Sequence, residues 1–288
     1  AAALREAELF AAGEFNLALF QGDALDEAAH AATVAKLARL TGLSPDYIER
    51  TKLRVEIMRF CKELLRDRRR TVGRLDSRFT GIDRDAAGEH FAHDPSYSAI
   101  QGPYTGAFNA YVREELNFTS DLPYEILTGL YEKWDYSKHQ NEFLDMSETL
   151  RAAMTQNPFL KVIIANGYYD FATPYFATRY TVNHMALEPE LRANIQLTYY
   201  EAGHMMYIHA PSLAQLRIDL AAFVREHGGL FLPQVFAGGL VPRLYAAPLL
   251  AEVADVDAIP PPDRAVLAFI AVHRHPHRPP RPHTPLSL

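Results

Sequence analysis

The sequence predicts an α/β fold: a short parallel sheet packed by helices, preceded by a long helical region. Three observations carry this. Residues 160–167, LKVIIANG, form a β-branched apolar run closed by Asn-Gly, the composition of a buried strand. Ile195, Leu197 and Tyr199 alternate, which marks a second strand. Between Pro211 and His227, the residues Leu213, Leu216, Leu220, Phe223 and Val224 fall on one helical stripe, with Gly228 as a stop. Strand, helix, strand and helix in this order imply a parallel sheet with a right-handed crossover.

Taken in order, residues 1 to about 70 read as helices. Leu4, Ala7, Phe10 and Ala11 recur at helical spacing, as do Ala31, Val34, Leu37 and Ala38. Ser44-Pro45-Asp46 is a helix start, with a serine cap, proline in the first turn and an acid near the positive end of the dipole. The helix it opens is expected to run to about Asp67. Arg66 to Arg70 then reads as a solvated, cationic helix end rather than an anion-binding patch. DPSYSAIQGPYTG, residues 94–106, reads as a long irregular connection, with short helices expected over 105–117 and 123–133. Met146–Gln156 is a further helix, ended before Pro158, and residues 172–187 supply the crossover helix. Three regions follow: 1–150, mostly helical; 151–228, the strand–helix–strand–helix part; and 229–288, an irregular tail rich in Pro, His and Arg that is expected to be disordered. Alternating histidines at His273, His275, His277 and His283 lack a preset geometry, so no metal role is assigned to them.

Composition narrows the function. With 48% hydrophobic residues in 288, the chain can bury a sizeable core. A formal charge of −6 argues against a nucleic-acid partner. No apolar run reaches the roughly 20 residues of a membrane span. The single cysteine, Cys61, excludes a disulfide within the chain.

The chemistry is expected at the carboxyl ends of the strands. Asp170 lies three residues past Asn166-Gly167, and His204 lies just after the second strand, behind Gly203. An acid followed by a histidine on adjacent strand ends is the order of the last two members of a nucleophile–acid–base triad in α/β folds. A buried carboxylate there holds the imidazole in one tautomer and stabilises its cation. Each residue also has a plainer reading: Asp170 as a cap for the helix that follows, His204 as a packed loop residue. His204 and His209, five residues apart, match no zinc spacing, and no cofactor is expected. The nucleophile is not found. No Gly-x-Ser-x-Gly occurs, and Ser44, Ser77, Ser96, Ser98, Ser120, Ser137, Ser147 and Ser212 all lie outside such a turn.

Several stretches carry a resemblance. ANGYYDFATPYFATRYTVNHM and YYEAGHMMYIHAPSL resemble the C-terminal part of the bacterial serine carboxypeptidase family, and so do VGRLDSRFTG, DPSYSAIQGPYTGAFNAYV and NPFLKVIIANG. The resemblance spans roughly residues 1 to 227. It implies the C-terminal portion of an α/β-hydrolase sheet, with residues 1–150 as a mostly helical cap insertion. It also implies peptide substrates cleaved from the C-terminus, with Asp170 as triad acid, His204 as base and Met205 near the departing residue. The family's nucleophile sits in an elbow upstream of the insertion, so the expected chain is one lacking that N-terminal half. The resemblance leaves room for a missing N-terminal half or a homodimer as partner and for a secreted or periplasmic location, but the sequence itself assigns no location. Two alternatives stand beside it: a lipase or esterase using the same pair, and a non-catalytic or split-enzyme half that needs a partner chain.

Overall fold

A computed structural model describes residues 2–142 and 144–228. The tail expected at 229–288, histidines included, lies outside the described residues. Within them the fold is mixed α/β, mostly helical, with two small sheets. No helix among the described residues is long and apolar enough to cross a membrane.

The amino-terminal part packs helices α1 (Ala2–Ala12), α2 (Glu14–Gln21), α3 (Glu27–Thr41), α4 (Pro45–Arg50) and α5 (Ile57–Glu63). Their apolar stripes meet in one cluster of Phe10, Ala18, Val34, Leu37, Leu43, Ile48 and Leu53. Asp26 caps α3 by accepting from the Ala29 amide, and Ser44 caps α4 by accepting from Tyr47. The single helix expected from Pro45 to Asp67 is not formed. Lys52 and Leu53 turn left-handed at φ 50° and 63°, which ends the helix and drops Leu53 into the cluster at 5% exposure. Glu56 then restarts the chain by accepting from the Met58 and Arg59 amides. Arg66 also departs from a merely solvated helix end. Its guanidinium donates to the carbonyls of Ala86, Ala87 and Gly88 and ties down that loop.

The stretch expected to be irregular at 94–106 is instead the start of α6, Pro95–Glu114. Asp94 caps it and Pro95 occupies the first turn, a start signal that outweighs the later breakers. Pro103 sits inside this helix at an exposed position. Over 123–133 only a single 3₁₀ stretch, Gly129–Lys133, forms. Between α5 and α6, a two-residue antiparallel pair, β1 (Thr71–Val72) with β2 (Thr80–Gly81), pinches the loop 72–79.

The main sheet is the expected parallel pair, β3 (Val162–Gly167) beside β4 (Ile195–Tyr200), in register from Val162↔Ile195 to Gly167↔Tyr200. Alternation sorts its two faces. Val162, Ile164, Ile195 and Leu197 meet Met154 of α7 (Ser147–Gln156) and Val182 of α8 (Tyr175–Asn183). On the opposite face, Ala165 and Tyr200 meet Leu216 and Leu220 of α10 (Ala210–Gly228). A short α9, Pro189–Arg192, leads into β4. Of the stripe expected on α10, Leu216 is buried but Leu213 is 45% exposed, because the sheet it faces is only two strands wide among the described residues.

Candidate active site

Both expected residues lie where the two strands stop. Beyond β3 and β4 the pairing continues into the loops: Tyr168 donates to Tyr200 and Tyr169 to Ala202, each at 3.0 Å. The loops can run this close only because glycines sit at the crossing. A Cβ on Gly167 would fall 2.2 Å from the Gly203 carbonyl, and one on Gly203 would fall 2.4 Å from Asp76 and Leu75.

This crossing brings His204 Nδ1 to 2.8 Å from Asp170 Oδ2. The carboxylate is an acceptor, so Nδ1 carries the proton and donates it, leaving Nε2 with a free lone pair. Asp170 is buried at 4%, while the His204 side chain is 35% exposed. Among the described residues Nε2 makes no hydrogen bond. Asp170 does not cap α8, whose N-cap position is Pro174 with no side-chain bond; its two oxygens divide instead between a turn and the ring. Oδ1 accepts from the amides of Ala172 and Thr173, closing the turn before α8, and Oδ2 serves the imidazole. Burial pushes the Asp170 carboxyl up, but the hydrogen bond and charge of His204, with the bonds from Thr173, outweigh it. The group is held below its ordinary range and stays ionised.

Thr173 is a member of the site that sequence reasoning missed. Its hydroxyl donates to Asp170 Oδ2 at 2.6 Å and lies 3.1 Å from His204 Nδ1. The spacing Asp-x-x-Thr was its signal, since one carboxylate can then take both the amide and the hydroxyl of the later residue.

The second missed feature is the loop between β1 and β2. The Ser77 amide donates to Tyr169, and the Phe171 amide to Arg74, which fixes the Asp170 loop. The His204 amide donates to Leu75 at 2.7 Å, and the Gly203 amide to Asp76 Oδ2 at 3.0 Å, which fixes the other. Asp94 and Ser96, at the start of α6, take the amides of Arg74 and Leu75 and hold the loop itself.

Met205 is half-buried beside His204, whereas Met206 enters the core at 6% exposure. His209 does not join the pair; its Nδ1 lies 2.8 Å from the Ser212 hydroxyl in the first turn of α10. No group of three or more metal-ligating side chains occurs among the described residues. Two further nucleophile types near these loops are not free to react. The Ser96 hydroxyl bonds Asp94 and the Leu75 amide. Cys61 is fully buried, chiefly for which reason its thiol is pushed up to about 12, so it offers almost no thiolate at neutral pH. Comparison with known protein families, with curated proteins and with solved structures finds no match to this chain.

Proposed function

We propose that Asp170 and His204 are the acid and base of a serine-carboxypeptidase-type triad. The chain would then be the acid–base portion of an α/β hydrolase that removes residues from the C-terminus of peptides. The bond between Asp170 Oδ2 and His204 Nδ1, with Nε2 left open on a partly exposed ring, carries this reading. It supports general-base work: Nε2 takes the proton of an attacking hydroxyl, and Asp170 stabilises the imidazolium that forms. Nε2 then returns the proton to the leaving amine as the tetrahedral intermediate collapses. Met205, at the side of the base, would touch the departing residue, and residues 1–150 would form the cap.

The proposal requires a serine from another segment. A fluorophosphonate probe tests this. The chain Ala1–Leu288 alone should remain unlabelled, and the native protein carrying the serine should label in a His204-dependent way. Stoichiometric labelling of the chain alone would overturn the missing-nucleophile reading. The main sheet, two-stranded among the described residues and with edges on which further strands could add, supports a second arrangement, a split enzyme in which a separate chain brings the serine. Labelling that appears only on mixing two chains would select it.

A further inference from the structure

We propose that the ion pair Asp76–Arg78 is a positioning device for His204, coupling the loop that carries the base to the loop that carries the acid. The inference rests on reading Asp170 and His204 as an acid–base pair.

Three observations point to it. The first is the saturation of Asp76. This carboxylate is 2% exposed, and both of its oxygens are used: Oδ1 accepts from the amide and Nε of Arg78, Oδ2 from Nη2 of Arg78 and the Gly203 amide. A buried charge is retained only when it is so compensated. The second is that Arg78 reaches past its partner. Nη1 donates to the Glu201 carbonyl at 2.8 Å, and the guanidinium lies over the Tyr169 ring at 5.2 Å. One planar group therefore touches the loop before His204 and the loop before Asp170. The third is that the pair grips residues 201 and 203, immediately before the base, and leaves the His204 imidazole untouched. It acts on where the ring sits rather than on its proton. Only a guanidinium offers this fork together with a third donor in the same plane; an ammonium does not.

The test is the low-field proton resonance of His204 Nδ1, recorded on the full chain with ¹⁵N-labelled histidine. His204→Gln assigns it by its disappearance. Arg78→Gln should remove or exchange-broaden this signal while the chain still melts cooperatively, and Arg78→Lys should fail to restore it. If leaving Asp76 unpaired prevents Arg78→Gln from folding, the double variant Asp76→Asn/Arg78→Gln removes the stranded charge and is expected to lose the signal too. A folded Arg78→Gln or double variant that keeps the resonance at the wild-type position overturns the positioning role and leaves the acid–base pair standing. Absence of the resonance in the wild type overturns the pair itself, and the inference with it.

Discussion

At the scale of single residues, the site is a division of labour within one carboxylate. Asp170→Asn keeps the shape but presents an amide where the imidazole needs an acceptor, so the wrong tautomer results. Under the proposed function, kcat should fall on the order of 10⁴-fold with little change in KM. Thr173→Val removes the hydroxyl from Oδ2. The Asp170 carboxyl should then titrate at higher pH, read by side-chain carbon NMR; an unmoved midpoint would remove Thr173 from the site. The sign for stability follows from the lowered carboxyl. Its contribution is fully present above the unfolded value, about 3.9, and is lost as pH falls through the lower folded value. Between about pH 5 and about pH 3, wild type should therefore lose more melting temperature than Asp170→Asn. Asp170 and His204 were legible because acid and base each follow a recognisable strand. Asp76 and Arg78 were not, because their partners are 123 and 127 residues away along the chain and no local period announces such a bond.

At the scale of elements, the strand ends depend on two glycines: backbone fills the side-chain space of Gly167, and the Asp76 side chain and Leu75 carbonyl fill that of Gly203. Gly167→Ala or Gly203→Ala should cost about 3 kcal/mol by denaturant melts, since carbonyl oxygens cannot rotate away and the Asp76 carboxylate is held by Arg78 and the Gly203 amide. A change below a few tenths would show that the loops do not cross so closely. The strands were legible from β-branched composition and alternation, and α10 from its stripe. The break after Arg50 was not. Left-handed residues at Lys52 and Leu53 oppose local preference, and burial of Leu53 in the cluster of the amino-terminal helices offsets this. The misreading of 94–106 has the opposite cause. Gly102 and Pro103 look like breakers, but the cap at Asp94 and the bonds it makes to the 72–79 loop hold the helix start in place.

At the scale of the whole molecule, a few long-range polar contacts join parts with separate apolar clusters. The Tyr175 hydroxyl of α8 donates to Glu8 of α1 at 2.9 Å, and Arg179 pairs with the same carboxylate at 2.8 Å. Lys62 and Asp83 form an ion pair at 2.6 Å, exposed by only 1% and 3%. Burial pushes the Asp83 carboxyl up, but bonds from Lys62 and the Ala92 amide outweigh this and hold it low. Lys62→Met alone strands a buried carboxylate and should destabilise by about 4 kcal/mol, whereas Lys62→Met/Asp83→Leu should recover most of that. Such a pair was illegible in the sequence, where one lysine and one aspartate among many charges carry no mark. The α/β class was legible because patterning alone sets layers. The proposed function makes His204, held by Asp170, the base that drives hydrolysis from the carboxyl end of peptides. Its most direct test is turnover of an amino-blocked dipeptide by the native protein, purified with whatever segment supplies the serine, beside its His204→Ala variant. Release of the C-terminal amino acid is expected, with a loss of at least about 10³-fold in the variant. No release, or release that His204→Ala leaves intact, would contradict it.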